Sequence, residues 1–127
     1  MIQILKTKRK YALAVNVVEG FTEEDERYCE ELFEKKLKKH ERVNLLIKVD
    51  ELKLRGSSVT AFWKDLKWIL KNYKKIGHLA IVAHSKILKA WIKLDNLIFR
   101  NLKAGRHELY FDTSEMNLAM DFINSKG

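Results

Sequence analysis

Three side chains that can bind metals or transfer protons stand where strands are predicted to end. Asp50, His84 and Asp112 each follow a short apolar run. Parallel strands end at one edge of a sheet, where α/β proteins place their ligands, so these side chains could share one rim and serve acid–base or metal chemistry. Aspartates at strand ends also cap the next helix, and no His-x-x-x-His or Gly-x-Ser-x-Gly motif accompanies them. We therefore predict no catalytic residue, no metal and no cofactor.

Nucleophilic hydroxyl and thiol groups occur at two further places. Ser57 and Ser58 precede a helix predicted over 59–75, where a serine caps the first N–H groups and where a phosphate or another anion could also bind. The single cysteine, Cys29, cannot form an internal disulfide and lies on the inner face of the first predicted helix. We interpret it as a core residue and not as a nucleophile.

The helix predicted over 86–102 has an apolar face wider than packing on a sheet requires, and Asp95 lies inside that face. One interpretation is a helix packed on both the sheet and a neighbouring helix, with Asp95 capping or paired to a lysine. The other is a movable helix over a hydrophobic groove, in which Asp95 orients a ligand headgroup. The predicted groove residues are Phe62, Trp63, Leu66, Leu88, Trp91, Ile92, Asp95 and Phe99.

Trp68 lies on the lysine-rich face of the helix predicted over 59–75, where a protein core does not need a large aromatic side chain. Together with Lys64, Lys67 and Lys71, it could contact an anionic membrane surface or another anion. Alternatively, Trp68 packs on an adjacent helix or belongs to a homodimer contact. The sequence leaves both interpretations open.

Composition places the chain among folded globular proteins. It has 127 residues, 46% hydrophobic and 33% charged, and we expect a single domain over 1–127. No apolar run is long enough to cross a membrane and no signal peptide is recognisable, so we expect a cytoplasmic protein with peripheral membrane contact as an option. The net charge of +8 comes from lysines spread over every predicted helix, which favours surface solvation over nucleic-acid binding.

Hydrophobic periodicity and turn signals predict the element order ββαβαβαβα, an α/β fold with a mixed, mostly parallel sheet flanked by helices. The first two strands form a hairpin, and Thr22 caps a helix that runs to about Lys39. The strand over 43–49 is apolar enough to be covered on both faces. The other predicted strands are 2–6, 11–18, 79–83 and 108–111, and the other helices are 59–75, 86–102 and one that residues 112–115 open.

Several segments together are similar to one known family. They are the opening hairpin, residues 62–68 (FWKDLKW), residues 76–82 (IGHLAIV), Trp91 and residues 110–112 (YFD). In these the chain resembles the SpoIIAA-like proteins, relatives of the STAS domain that are often grouped with CRAL-TRIO-type lipid-binding folds. The resemblance extends over nearly the whole chain, and it implies a small α/β domain without a catalytic signature.

The resemblance implies two kinds of function. Family members are thought to bind hydrophobic small molecules or lipids, so we expect a non-enzymatic binding module for such a ligand, with peripheral association to membranes. The alternative is a STAS-type regulatory protein-interaction module. STAS regulators carry a phosphorylatable serine at the N-terminus of the second helix, and Ser57 and Ser58 lie in that region here, without the Asp-Ser-x-Gly context of the regulators.

Overall fold

The computed structural model describes residues 2–18, 22–49, 75–84 and 107–125. The strands are β1 (Ile2–Leu5), β2 (Ala12–Val17), β3 (Val43–Val49), β4 (Ile76–Ala83) and β5 (His107–Asp112). The helices are α1 (Glu23–Leu37) and α2 (Met116–Asn124), and a 3₁₀ turn over Thr113–Glu115 leads into α2. The helices predicted between β3 and β4 and between β4 and β5 lie outside the described residues.

The five strands form one sheet in the order β1-β2-β3-β4-β5. β1 and β2 are antiparallel, with Ile2 opposite Val17, which confirms the predicted hairpin. Each later strand is parallel to the one before it. The predicted mixed, mostly parallel α/β sheet is therefore confirmed, and in the described sheet every strand lies beside its neighbour in sequence.

The start of α1 agrees with the sequence prediction, because its first turn carries a complete capping box. The Thr22 hydroxyl accepts a hydrogen bond from the Asp25 N–H at 3.1 Å, and the Asp25 carboxylate accepts one from the Thr22 N–H at 3.0 Å. Four acidic residues, 23–26, favour the positive end of the helix dipole. The helix ends at Leu37, slightly before the predicted end near Lys39.

The face of the sheet that α1 covers carries large side chains. Phe33 and Cys29 of α1 are buried there, and Leu32 and Leu37 pack beside them. These four residues form the inward face that the helical spacing indicates. From the strands, this cluster contains Leu13, Val15, Val17, Val43, Leu45, Ile47, Val49, Ile76, Leu79, Ile81 and Ala83.

The opposite face of the sheet is built largely from small side chains, which allows α2 to pack closely. Ala12, Ala14 and Ala80 are fully buried on this face. The inward residues of α2 and its start include the four that were predicted, Met116, Ala119, Met120 and Ile123, and also Phe122, which the sequence did not indicate. Because β3 contributes to the clusters on both faces, it is covered on both sides, as its apolar run predicts.

A β-bulge changes the pairing of β3 and β4. Two residues of β4, Gly77 and His78, lie opposite the single residue Asn44 of β3. The pairs on either side are Val43–Ile76 and Leu45–Leu79. The His78 N–H instead finds the Asn44 side chain, whose Oδ1 accepts its hydrogen bond at 2.7 Å. The predicted start of β4 at Leu79 is too late, because β4 begins at Ile76. Gly77 lies inside the strand at the bulge and does not mark its beginning.

Asn44 and Tyr11 hold the end of α2 against the sheet. The Asn44 Nδ2 donates to the Ile123 carbonyl at 2.8 Å and to the Ser125 carbonyl at 3.0 Å. The Tyr11 hydroxyl donates to the Asn124 carbonyl at 2.8 Å. The last carbonyls of a helix have no partners within the helix, so these side chains from the sheet complete the C-terminal cap of α2.

His78 forms the second attachment of α2. Its ring stacks on the ring of Phe122, with 4.3 Å between centroids and 12° between planes. Its Nδ1 lies 3.0 Å from the Phe122 carbonyl oxygen and 3.2 Å from the Ser125 hydroxyl. A carbonyl only accepts hydrogen bonds, so this geometry assigns the proton to Nδ1. His78 is buried and serves packing and capping together.

Candidate interaction surfaces

The structure does not test the ligand and phosphorylation sites predicted from the sequence, because those residues lie outside the described part of the chain. The predicted groove residues are Phe62, Trp63, Leu66, Leu88, Trp91, Ile92, Asp95 and Phe99; the membrane or anion contacts are Lys64, Lys67, Trp68 and Lys71; the phosphorylation candidates are Ser57 and Ser58. The candidate surfaces that the structure describes are therefore formed by the sheet, α1, α2 and the turns beside them.

Strands β2–β5 are parallel and end at one edge of the sheet, which we call the carboxyl rim. His84 and Asp112 both lie at this rim, because Ala83, the residue before His84, is paired with Asp112 in the sheet. His84 is exposed. Asp50, the third residue predicted to converge here, lies outside the described residues. The prediction of a shared rim is thus confirmed for two of its members.

The Asp112 carboxylate caps the turn that leads into α2. Its Oδ2 accepts hydrogen bonds from the Ser114 N–H at 3.0 Å and from the Ser114 hydroxyl at 2.8 Å. The Glu115 Oε1 in turn accepts from the Asp112 N–H at 3.0 Å, which completes a capping box. Among the described residues, no group of His, Cys, Asp and Glu side chains is arranged to hold a metal ion. Asp112 therefore has the capping role expected of a strand-end aspartate.

The acidic first turn of α1 also lies at the carboxyl rim. Since α1 follows β2 after a short connection, its N-terminus and the acidic residues 23–26 lie at this rim. The chain reaches the same rim again at Val49, where β3 ends eight residues before Ser57. The described part of the rim thus carries carboxylates, and the two candidate serines follow it closely along the chain.

Basic side chains are concentrated at the opposite end of the sheet, where parallel strands β2–β5 begin. We call this region the basic surface. It surrounds a concavity of about 400 Å³ between the β1–β2 turn and the end of α1. The residues that line it are Lys10, Lys35, Lys36, Lys38, Lys39 and His40. Five lysine side chains around one concavity produce a local positive potential, which attracts anionic groups of a partner.

Lys36 joins the two parts of the basic surface. Its Nζ donates a hydrogen bond to the Lys10 carbonyl at 3.0 Å, so the end of α1 is fixed to the β1–β2 turn. Partial burial lowers the pKa of the Lys36 ammonium, because it removes water from the charged form. The rings of Tyr11 and His40 meet edge to face nearby, with centroids 6.1 Å apart. The concavity is therefore held by defined contacts.

Local sequence patterns do not predict the basic surface as a unit. The lysines at the end of α1 fit the negative end of the helix dipole, and Lys10 fits a polar turn, so each group has a local explanation. The topology of the fold is the feature that could predict that Lys10 and the lysines at the end of α1 lie together. A βαβ unit returns the end of its helix to the edge where its first strand begins, and the β1–β2 turn occupies that same edge.

Comparison with protein families gives a match over residues 12–124 to the model described as SpoIIAA-like. The chain belongs to the SpoIIAA-like family. The match extends from the first residue of β2 to the last residue of α2, and so includes every described element except β1. The search of curated proteins and the search of solved structures gave no significant match.

Membership in the SpoIIAA-like family bears directly on the two expected functions. The family is related to STAS domains, which are in general non-catalytic modules that bind protein partners. The match favours the regulatory alternative, and it gives no support to the expected lipid or hydrophobic ligand. In the parts of the SpoIIAA-like chain that the structure describes, no helix is long and apolar enough to cross a membrane.

Cys29 is expected to be chemically inert in the folded SpoIIAA-like domain. Burial raises the pKa of its thiol to about 12, and the nearby Asp25 and Glu26 carboxylates act in the same direction. Since the thiolate is the reactive form, we expect iodoacetamide to modify Cys29 at least ~100-fold more slowly in the native protein than in urea at mildly alkaline pH. Timed alkylation followed by mass spectrometry measures both rates, with Cys29→Ser as the blank.

The same raised pKa of Cys29 gives stability a defined pH dependence. Below the ordinary thiol pKa of 9.0 both the folded and the unfolded chain keep the proton, so stability is unaffected there. Above it the unfolded chain releases the proton first, and stability falls as the pH rises from 9.0 towards about 12. Cys29→Ala should lose this part of the alkaline slope. Equal alkylation rates in native and unfolded protein would contradict the interpretation of Cys29 as a buried, unreactive thiol with a raised pKa.

Proposed function

We propose that this chain is a STAS-type regulatory module that binds a protein partner, with phosphorylation of Ser57 or Ser58 as its switch. The observation that carries the proposal is the family match over residues 12–124. It favours a protein-binding role, because that is the general role of STAS-related domains. The lipid-binding alternative has no comparable observation in its favour.

The position of the two serines along the chain supports the switch. Ser57 and Ser58 follow the end of β3 closely, and β3 ends at the carboxyl rim, where parallel α/β sheets present their functional loops. The described part of this rim contains the acidic residues 23–26. A phosphate on Ser57 or Ser58 would add negative charge to the domain, and added charge changes which partner surfaces the domain can approach.

The charge distribution of the described residues suits an interaction module. The acidic start of α1 and the basic surface lie at opposite edges of the sheet, so the domain presents a different sign of charge at each edge. Such an arrangement orients an approaching partner and accelerates association at low ionic strength. Binding of the regulatory partner is therefore expected to weaken as salt increases.

The test measures phosphate incorporation and partner binding together. Purified protein is incubated with labelled ATP and an extract of cells that contain the natural kinase, and incorporation is located by mass spectrometry. Wild type should gain one phosphate, and the double variant Ser57→Ala/Ser58→Ala should gain none. Ser114→Ala is the matched control, because its hydroxyl is exposed and bonds only within the cap of the 3₁₀ turn.

Partner binding is then compared between wild type and the variant Ser57→Asp/Ser58→Asp by chemical crosslinking and mass spectrometry. A partner protein that crosslinks to one form at least ~10-fold more than to the other supports the proposal. Incorporation that survives in the double alanine variant would exclude these serines as the switch. A partner that binds both forms equally would leave a binding module without the proposed regulation.

A further inference from the structure

β1 forms an edge of the described sheet whose outer side has no strand beside it. In the described sheet order β1 is terminal, and it is paired with β2 alone. An edge strand presents unpaired N–H and C=O groups, which are a template for pairing with another strand. β1 is therefore a ready surface for association.

Exposed apolar side chains lie on the α1 side of this edge. The sides of β1 follow from its contacts, because Ile2 packs against the cluster under α1 and Leu5 against the cluster under α2. By strand alternation, Ile4 and Lys6 lie on the same side as Ile2. Ile4 is 41% exposed, and among the large apolar side chains of the described residues only Tyr28 and Leu118 are also exposed.

A groove of about 500 Å³ runs between β1 and the first half of α1. Ile2 forms its wall on the strand side, and Tyr28, which is 47% exposed, belongs to its helix side. The remaining lining residues are charged, namely Glu24, Asp25, Arg27 and Glu31. The Asp25 carboxylate is already engaged by the Thr22 N–H and by the terminal ammonium of its own chain. Glu24 and Glu31 are the remaining carboxylates of the groove, so an occupant that brings a cation and an apolar contact fits it.

We propose that a second copy of this chain is that occupant, and that the two copies pair through antiparallel β1 strands into one continuous sheet. A two-fold axis perpendicular to the sheet places both α1 helices on the same side. Residues directly opposite in an antiparallel pair share a face, so only residues on the same side of β1 can face each other. The register that places Ile4 opposite Ile4 of the second copy also places Ile2 opposite the second copy's Lys6.

This register supplies both features that the groove requires. The two Ile4 side chains form an apolar cross-strand pair at the centre of the interface. The second copy's Lys6 then stands beside Ile2, at the strand wall of the groove that contains Glu24 and Glu31. Neighbouring strands lie about 4.8 Å apart, so a lysine side chain reaches the carboxylates across one strand spacing. By symmetry the contact occurs twice.

The charge complementarity distinguishes a second copy from an unrelated segment. Lys6 is exposed and directly follows β1, four residues along the strand from Ile2. In the proposed register, each Lys6 lies beside Ile2 of the other copy and so faces the other copy's groove. Pairing also satisfies the open backbone groups of both edges at once. The interface uses β1, Lys6 and the first half of α1, and neither Ser57 nor Ser58 belongs to these elements.

Sedimentation velocity over a range of protein concentrations tests the proposal. Wild type should show a reversible dimer, and Ile4→Glu should raise its dissociation constant at least ~10-fold, because two like charges then face each other. The matched control is Leu118→Glu, which changes an exposed apolar residue of α2 and should leave the dimer unchanged. Circular dichroism and thermal midpoints check that each variant is folded.

A charge exchange tests the register. Lys6→Glu and Glu31→Lys should each weaken the dimer, and their combination should restore it towards wild type. A wild-type protein that remains a monomer at every concentration overturns the proposal, and so does a dimer that Ile4→Glu leaves unchanged. A combination that fails to restore pairing overturns the register. None of these outcomes depends on phosphorylation at Ser57 or Ser58, so failure of the regulatory proposal would be seen separately.

Discussion

Replacing Asn44 with alanine is expected to lower the free energy of unfolding by about 3–5 kcal/mol, although the change removes only an amide group. Asn44 is 3% exposed and its side chain makes hydrogen bonds to the His78 N–H and to the Ile123 and Ser125 carbonyls. Alanine leaves these groups without their partner, and each buried group left unsatisfied costs about 1–3 kcal/mol. The bulge and the end of α2 lose their common support.

Urea denaturation measures this loss for Asn44→Ala as a lower midpoint with an unchanged slope, since the surface exposed on unfolding hardly changes. The matched control is Asn117→Ala, which removes the same amide from an exposed position of α2 and should change stability by less than about 0.5 kcal/mol. If the two variants were equally stable, Asn44 would not hold the bulge and α2 together as the structure indicates.

Gly77→Ala is expected to cost about 2–4 kcal/mol, the second largest effect. A Cβ at Gly77 would collide with the Asn44 Oδ1, and that oxygen cannot move freely because the same amide is fixed by its hydrogen bonds to β4 and α2. Either the Asn44 side chain leaves its partners or the two strands separate locally. Both responses remove contacts that keep α2 on the sheet.

A double-mutant cycle separates this mechanism from a general intolerance of side chains at Gly77. With Asn44→Ala already present, the colliding oxygen is gone, and the further change Gly77→Ala should cost less than about 1 kcal/mol. The coupling energy from urea denaturation of the four proteins is thus expected to exceed about 1 kcal/mol. Additive losses would show that the collision with the Asn44 Oδ1 is not the reason why Gly77 is required.

Local sequence signals predicted most of the described fold. Thr22 with Asp25 determines the start of α1 by hydrogen bonds within one turn, so the sequence is enough to locate it. The apolar run over Val43–Val49 predicts coverage on both faces, which the two core clusters confirm. The start of β4 was predicted too late, because a glycine in a short apolar run resembles a strand end when the opposing Asn44 is not known.

The candidate surfaces were harder to predict, because they depend on residues that are distant in sequence. Lys10 and Lys36 meet only after the β1–β2 turn and α1 have returned to the same edge of the sheet. The attachment of α2 joins Asn44 to Ile123, and no local pattern indicates that contact. The predicted groove residues and the two candidate serines stay predictions, since they lie outside the described part of the chain.

The small-residue face of the sheet has a consequence for how the chain is made. In the described structure Ala12, Ala14 and Ala80 are covered by α2, the last element in sequence. A nascent chain leaves the ribosome from its N-terminus, and its strands can pair with their neighbours as they emerge. Among the described elements, the one that covers the alanine face is α2, and it cannot form until residues 116–124 have been synthesised. Ribosome stalling shortly before this point would release a chain with an exposed apolar face, which is a substrate for chaperones and proteases.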